Sequence, residues 1–110
     1  MTNFDDVEYR AVTWAADKGI FRESTVFKQY EKLVEEVKEL SESLDKFAED
    51  AASLEDIKYE LGDCIVCLNN ISVFLQTTIP ACFDMAVSKI EKRKTKMEDG
   101  FVVKEGVPDE

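Results

Sequence analysis

The chain has 110 residues, about the length of one domain with a single core. Its 14 basic and 24 acidic residues give a net charge of −10, which argues against a protein that binds the backbone of a nucleic acid. Histidine is absent, so Ser–His and Cys–His nucleophile pairs and ordinary zinc sites with histidine are excluded.

Helix-forming residues dominate, and two helices are predicted in the first half of the chain. The first runs from about Asp5 to Lys18, and Gly19 supplies the left-handed residue that ends it. Residues 20–23 form a connector, and Ser24 or Thr25 caps the second helix. The second helix carries the clearest periodic pattern, an apolar stripe at alternating spacings of four and three. The stripe consists of Val26, Tyr30, Leu33, Val37, Leu40, Leu44 and Phe47.

Two further helices are predicted in the second half. The third opens at Ser53, with Asp56 at the position of a capping-box acid, and we expect it to be the central helix because it is apolar on most faces. Its main stripe consists of Leu54, Ile57, Leu61, Ile65, Leu68, Ser72 and Leu75. The fourth begins around Pro80 and ends before Gly100, and an extended tail follows from about residue 101. Its predicted buried side consists of Phe83, Ala86, Val87, Ile90 and Met97. The prediction is an all-α, four-helix single domain spanning residues 1–110 that assembles into an oligomeric bundle.

Neither a membrane span nor a secreted protein is expected. Residues 64–83 lack charge, but their amides, hydroxyls and Pro80 indicate a buried helix followed by a turn. Residues 1–10 carry acids where a secretory leader would be basic. The pair Cys64 and Cys67 is interpreted as small buried residues rather than a metal or redox site. We therefore expect a cytoplasmic protein with reduced thiols.

Acidic residues border the packing surfaces of the second and third helices. At about 100° per residue, Glu36 and Glu39 lie beside the apolar stripe, on the same flank as Lys32. On the third helix the same arithmetic places four side chains in one row: Glu60, Asp63, Cys67 and Asn70. If the two helices pack antiparallel, four carboxylates converge, and they repel one another unless a cation neutralises them.

The composition of this acidic set favours one kind of metal. Oxygen ligands without histidine suit Mg²⁺, with Mn²⁺ as a substitute. The alternative is that these acids are ordinary solvated residues. Asp63 favours the metal site, because a charge within an apolar helix requires a partner.

Positive charge is concentrated near the end of the chain. Residues 88–97 contain five basic residues against Glu91 alone, and Lys89, Arg93 and Lys96 share one face at i, i+4 and i+7. This face is either an exposed solubilising surface or a clamp for the negative charge of a polyphosphate.

These motifs resemble a known enzyme family. Residues 32–40, followed by Glu60-Leu61-Gly62-Asp63, resemble the E-x-x-E and E-x-x-D pair of MazG-like nucleoside triphosphate pyrophosphohydrolases. Residues 14–19 with Gln29 are similar to the amino-terminal pattern of short, stand-alone members. Lys89, Arg93, Met97 and residues 99–100 are similar to their carboxy-terminal pattern. The resemblance covers about residues 10–105.

The resemblance implies an all-α fold, Mg²⁺ dependence, and hydrolysis of a nucleoside triphosphate to the monophosphate and pyrophosphate. The implied metal ligands are Glu36, Glu39, Glu60 and Asp63. Glu39 is the candidate base, and Lys89 and Arg93 would stabilise the leaving pyrophosphate. The candidate substrate contacts are Trp14, Gln29, Lys32, Asn70, Lys89 and Arg93. For Trp14 the alternative is a core or interface residue. The resemblance also implies a homodimer or homotetramer.

Three alternatives remain open at this stage. Within the superfamily, a dUTP- or dCTP-selective pyrophosphatase or a phosphoribosyl-ATP pyrophosphohydrolase would carry the same acidic motifs. We favour an enzyme that cleanses the nucleotide pool. Outside enzymes, the long stripe of the second helix fits a helical dimerisation module, although such a module gives no reason for Asp63 on the core helix.

Overall fold

A computed structural model describes residues 3–49 and 54–105, which are predominantly helical. The elements are α1 (Phe4–Lys18), α2 (Ile20–Glu23), α3 (Val26–Glu49), α4 (Leu54–Phe74), α5 (Ile79–Glu91), β1 (Thr95–Glu98) and β2 (Phe101–Lys104). The all-α class is therefore confirmed, with a small hairpin added. The chain divides into two compact units, the first ending at Ile79 and the second beginning at Pro80. The extent of a single domain over the whole chain stays a prediction.

Local capping interactions explain where the helices of the first unit begin and end. The Asn3 side chain accepts hydrogen bonds from the backbone of the first turn of α1, and Gly19 ends that helix with φ of 85°. Residues 20–23, expected as a connector, form the single turn of α2. Thr25 Oγ1 accepts a hydrogen bond from the Lys28 amide at 3.1 Å and caps α3. The predicted cap at Ser53 lies outside the described residues.

Helices α3 and α4 make the most extensive contact, and α1 packs against α4. The buried apolar residues are Ala15, Ile57, Cys64 and Cys67, and the buried polar residues are Glu36, Ser43, Asn69, Asn70 and Ser72. The row of α4 that is buried is thus rich in small and polar side chains. This core places polar groups against the inner face of α3, which matters for the site described below.

The predicted apolar stripes of the second and third helices are only partly buried within the single chain, so their packing on other helices stays a prediction. On α3, Tyr30, Val37 and Leu44 are exposed, and on α4 Leu61, Ile65 and Leu68 are exposed as well. Of the other stripe residues, Phe47, Leu54 and Leu75 are exposed, Val26, Leu33 and Leu40 are half-buried, and Ile57 and Ser72 are buried. The physical reason is that α4 turns its small, polar row toward its neighbours and leaves its bulkier row outward.

In the second unit, the fourth helix ends earlier than predicted. Helix α5 stops at Glu91, and β1 pairs antiparallel with β2, with Thr95 opposite Lys104. Asp99 and Gly100 both have positive φ, 50° and 85°, as the tight turn of a two-residue hairpin requires. The expected tail is therefore a strand from Phe101 to Lys104.

Several side chains predicted to lie on the fourth helix therefore have a different location or exposure from the one expected. Met97 lies exposed on β1 rather than on the buried side of a helix, and Lys96, on the same strand, does not share a helical face with Lys89. No residue of α5, all of which is described, is buried, and Phe83 and Ile90 are exposed. Among the described residues no single helix is long and apolar enough to cross a membrane, although α4 and α5 reach that threshold when counted together.

Candidate active site

Three carboxylates from two helices meet in the first unit. Glu36 on α3 and Glu60 and Asp63 on α4 each offer one oxygen, and these oxygens all lie within 4.8 Å of one another. Glu60 and Asp63 point the same way because they are three residues apart on a helix. Glu36 is 8% exposed, whereas Asp63 is exposed, so the cluster runs from the interior to the surface. The cluster can hold a cation at a position that solvent and a ligand can reach.

Glu39 lies beside this cluster. The pKa of its carboxyl is raised, first because the protonated group hydrogen-bonds to the Glu36 side chain, and next because of the negative charge of Glu36. Burial and the charge of Glu60 add to the increase, and Lys32 opposes it. Glu39 is not one of the three residues whose oxygens lie mutually within 4.8 Å. Its role as a metal ligand stays a prediction, and its environment already shows the repulsion expected of converging acids.

Lys32 is the cation closest to these acids on α3. Its Nζ lies 3.4 Å from Glu36 Oε1 and 3.8 Å from Glu35, and the hydrogen bond to Glu36 raises the pKa of Lys32. The other oxygen of Glu36, Oε2, is buried and has no hydrogen-bond partner within residues 3–49 and 54–105. One lysine does not balance this group of carboxylates. An unpartnered buried oxygen in an oxygen-only donor set fits a hard divalent cation such as Mg²⁺ or Mn²⁺.

A cleft of about 390 Å³ adjoins the acids, and most of the residues predicted to contact the substrate line it. The predicted residues that line it are Trp14, Gln29, Lys32, Glu36, Asp63 and Asn70. Ile20, Val66 and Cys67 line it as well and were not predicted as contacts. Trp14 is 49% exposed, so it is not a core residue of this chain. An exposed indole offers a flat apolar surface on which a planar ring can stack.

Cys67 lines the cleft without being a reactive thiol. Burial raises the pKa of Cys67, and the negative charge of Glu36 raises it further. The thiol therefore stays protonated at neutral pH and is a poor nucleophile or metal ligand. Cys64, whose pKa burial also raises, is in the same situation. Both thiols act as small buried side chains, as the sequence indicated.

The two basic candidates, Lys89 and Arg93, belong to the second unit. Lys89 is exposed on α5, and Arg93 lines a cavity of about 580 Å³ together with Thr95, Val103 and Lys104. Glu91 lines the same cavity, so its charged side chains are of both signs. Contact between these residues and the phosphates of a substrate stays a prediction.

The fold and the cleft together define an all-α protein with an acidic site suited to a divalent cation and a neighbouring surface suited to a planar ring. Residues 24–97 match the family model described as the MazG nucleotide pyrophosphohydrolase domain. Because the match covers more than half of the chain, this protein belongs to the MazG family. The resemblance inferred from the sequence is thereby confirmed.

The match contains all but one of the candidate site residues. Trp14 precedes it, whereas the four acids, the two amides and the basic residues lie inside it. No curated protein and no solved structure matched the chain.

Proposed function

We propose that this chain hydrolyses nucleoside triphosphates to the monophosphate and pyrophosphate with a divalent cation, Mg²⁺ or Mn²⁺, held by Glu36, Glu60 and Asp63. The observation that carries the proposal is the meeting of these three carboxylates, two of which, Glu36 and Asp63, line the same cleft as Trp14 and Asn70. Family membership supports a nucleotide pyrophosphohydrolase. We further propose that the activity removes unwanted nucleotides from the cellular pool.

The reaction transfers a nucleotidyl group to water. A water oxygen attacks the α-phosphorus, the bond from that phosphorus to the bridging oxygen of the β-phosphate breaks, and pyrophosphate leaves with the bond electrons. The chemistry that a divalent cation supplies when bound is neutralisation of triphosphate charge and a lower pKa of the attacking water. Glu39, whose carboxyl lies beside that of Glu36, accepts the proton of that water.

Cationic side chains stabilise the charge that develops on the leaving group. Lys32 lies at the cleft, and we propose that it reaches a phosphate oxygen of the bound nucleotide. Lys89 and Arg93 are proposed to contact the β- and γ-phosphates. Trp14 stacks on the base, and Gln29 and Asn70 contact its edge.

Product analysis tests the proposed reaction. After incubation of the chain with each common nucleoside triphosphate and Mg²⁺, anion-exchange chromatography is expected to show monophosphate and pyrophosphate without diphosphate. Diphosphate with orthophosphate would contradict cleavage at the α-phosphorus. A lack of turnover, together with no divalent-dependent gain in thermal stability, would contradict an enzyme and favour the dimerisation module.

The exposed stripes support assembly into a homodimer or homotetramer. Tyr30, Val37 and Leu44 recur at intervals of seven on one side of α3 and are exposed within the chain. A row of large apolar side chains on a helix is the usual surface for packing on another helix. We propose that the stripe of α3 packs against a second copy of the chain. The proposed compartment is the cytoplasm, where the buried thiols of Cys64 and Cys67 would stay reduced.

Without divalent cations, we expect the thermal stability of the protein to fall as pH rises. The folded state raises the pKa of Glu39, so folding favours its protonated form; this contribution is present below the unfolded pKa and is lost as pH rises through the folded pKa. The charged groups facing Glu39 are Lys32 and Glu36 on α3 and Glu60 on α4.

Melting temperatures from about pH 5 to about pH 8, with chelator and with Mg²⁺, check this expectation. Glu39→Gln is expected to flatten the profile in chelator and to reduce the gain from Mg²⁺. Glu42→Gln, an exposed position on the same helix, is the matched control and should follow the wild type. A wild-type profile in chelator that coincides with that of Glu39→Gln would contradict the assigned role of Glu39.

A further inference from the structure

A chain of three side-chain hydrogen bonds runs from the start of α3 to the cleft. The Ser24 hydroxyl donates to the backbone carbonyl of Thr25 at 3.5 Å. Gln29 Nε2 donates to Ser24 Oγ at 3.0 Å, and Asn70 Nδ2 donates to Gln29 Oε1 at 3.0 Å. The bonds link α3 to α4 and end at a residue that is 3% exposed.

The bond directions along this chain are consistent with one another. The Ser24 hydroxyl points at the Thr25 carbonyl, at the long limit of a hydrogen bond, and it accepts from Gln29. Gln29 must therefore turn its amide nitrogen toward Ser24 and its oxygen toward α4. Asn70 in turn must present its nitrogen to Gln29, which leaves Asn70 Oδ1 as the free end of the chain.

The free end is an acceptor without a partner. Asn70 Oδ1 is buried and has no hydrogen-bond partner in the described part of the chain. A buried oxygen left in this state is destabilising, so a ligand that supplies a donor gains from meeting it. Asn70 lines the same cleft as Trp14, where the proposed function places the base.

We infer that the site selects cytosine or adenine, whose amino group is on C4 of the pyrimidine or C6 of the purine, over uracil or hypoxanthine, which carry an oxo group there, by donation from that amino group to Asn70 Oδ1. The inference rests on the proposed function for the orientation of the nucleotide. Because Asn70 is almost fully buried, the group that reaches it must project beyond the ring, as an amino group does. An oxo group at the same place, as in uracil or hypoxanthine, would set two acceptors against each other and leave both unpaired.

The first test compares substrates that differ only at this group. We expect kcat/KM for CTP over UTP, and for ATP over ITP, to differ by at least about 10-fold in favour of the amino base. Equal values, or a preference for the oxo base in either pair, would overturn the inference.

Ser24 gives a sharper test, because it contacts no part of the proposed substrate and acts as a positioning residue. Ser24→Ala removes the anchor, so Gln29 and Asn70 are free to reverse their amides and the CTP/UTP ratio should fall to about one-third of the wild-type value or less. Ser24→Thr keeps the hydroxyl and should restore the ratio. If Ser24 were merely structural, kcat/KM would fall equally for CTP and UTP and their ratio would not change.

Binding of α,β-imido analogues separates this inference from the proposed reaction, because it needs no turnover. Calorimetric titration with the cytidine and uridine α,β-imido triphosphates is expected to show tighter binding of the cytidine analogue, and Asn70→Ala should remove the difference. If cytidine is preferred but no triphosphate is hydrolysed, the reaction is wrong and the inference stands. Hydrolysis without a base preference, or no preferential binding of the cytidine analogue, would overturn the inference.

Discussion

Replacing Glu36 by glutamine is expected to lower kcat/KM for nucleoside triphosphates by about 1,000-fold or more, while the protein stays folded. Glu36 is the buried member of the three-carboxylate cluster, and its Oε2 has no hydrogen-bond partner among the described residues. Glutamine keeps the shape of the side chain but removes the charge that a divalent cation requires. Lys32 loses one partner and keeps Glu35, so little stability should be lost in chelator.

Two measurements separate this effect from misfolding. The gain in melting temperature on adding Mg²⁺ should disappear in Glu36→Gln, whereas the melting temperature in chelator should change little. Glu42→Gln, on the same helix and exposed, should keep both the activity and the Mg²⁺ gain. A Glu36→Gln protein with more than about a tenth of wild-type activity would contradict the role given to this carboxylate.

A charge placed in the exposed stripe of α3 is expected to change the assembly state. Leu44 is 49% exposed in the single chain, at the seventh position after Val37, and the proposed homo-oligomer would bury it. Leu44→Glu would place an unpaired carboxylate in that interface, which costs several kcal/mol per site. We expect the wild type to form a homodimer or homotetramer at micromolar concentration and Leu44→Glu to be monomeric with a lower melting temperature.

Light scattering after size exclusion gives the masses directly. Lys38→Glu also places a carboxylate at an exposed position of α3, about 100° around the helix from Val37 and away from the stripe, and should leave the wild-type mass unchanged. A monomeric wild type would refute the proposed oligomer, whatever the variants do. A Leu44→Glu protein with the wild-type mass would show that another surface holds the copies together.

The first unit was largely predictable because its signals are local. Gly19 marks the end of α1 and Thr25 the start of α3, where left-handed backbone and side-chain capping act within a few residues. The meeting of Glu36 with Glu60 and Asp63 required only that two amphipathic helices pack antiparallel, since wheel positions then fix which side chains face each other.

The hairpin was missed although its turn signal was present. Asp99 and Gly100 are a typical two-residue hairpin turn, but residues 92–97 are mostly good helix formers, and each strand has only four residues. Over so few residues the sequence fits a helix as well as a strand, and the pairing of β1 with β2 determines that a strand forms. The carboxy-terminal sequence pattern shared with the family also covers this segment, but it does not indicate whether the segment is a helix or a strand.

Two features depend on tertiary packing and were not accessible to sequence patterns. Burial of the stripes on α3 and α4 cannot be judged from periodicity, because an apolar row packs equally well within a chain or between copies. Ser24 showed only a capping signal, and its link to Gln29 and Asn70 becomes visible once α3 and α4 are in contact.

Hydrolysis in ¹⁸O-labelled water with Mg²⁺ tests the central claim most directly. Attack at the α-phosphorus predicts one labelled oxygen in the nucleoside monophosphate and none in the pyrophosphate, and about 1,000-fold less labelled product from Glu36→Gln. Label in the pyrophosphate would mean attack at the β-phosphorus. That result, or unlabelled products from every common nucleoside triphosphate, would contradict the proposed function.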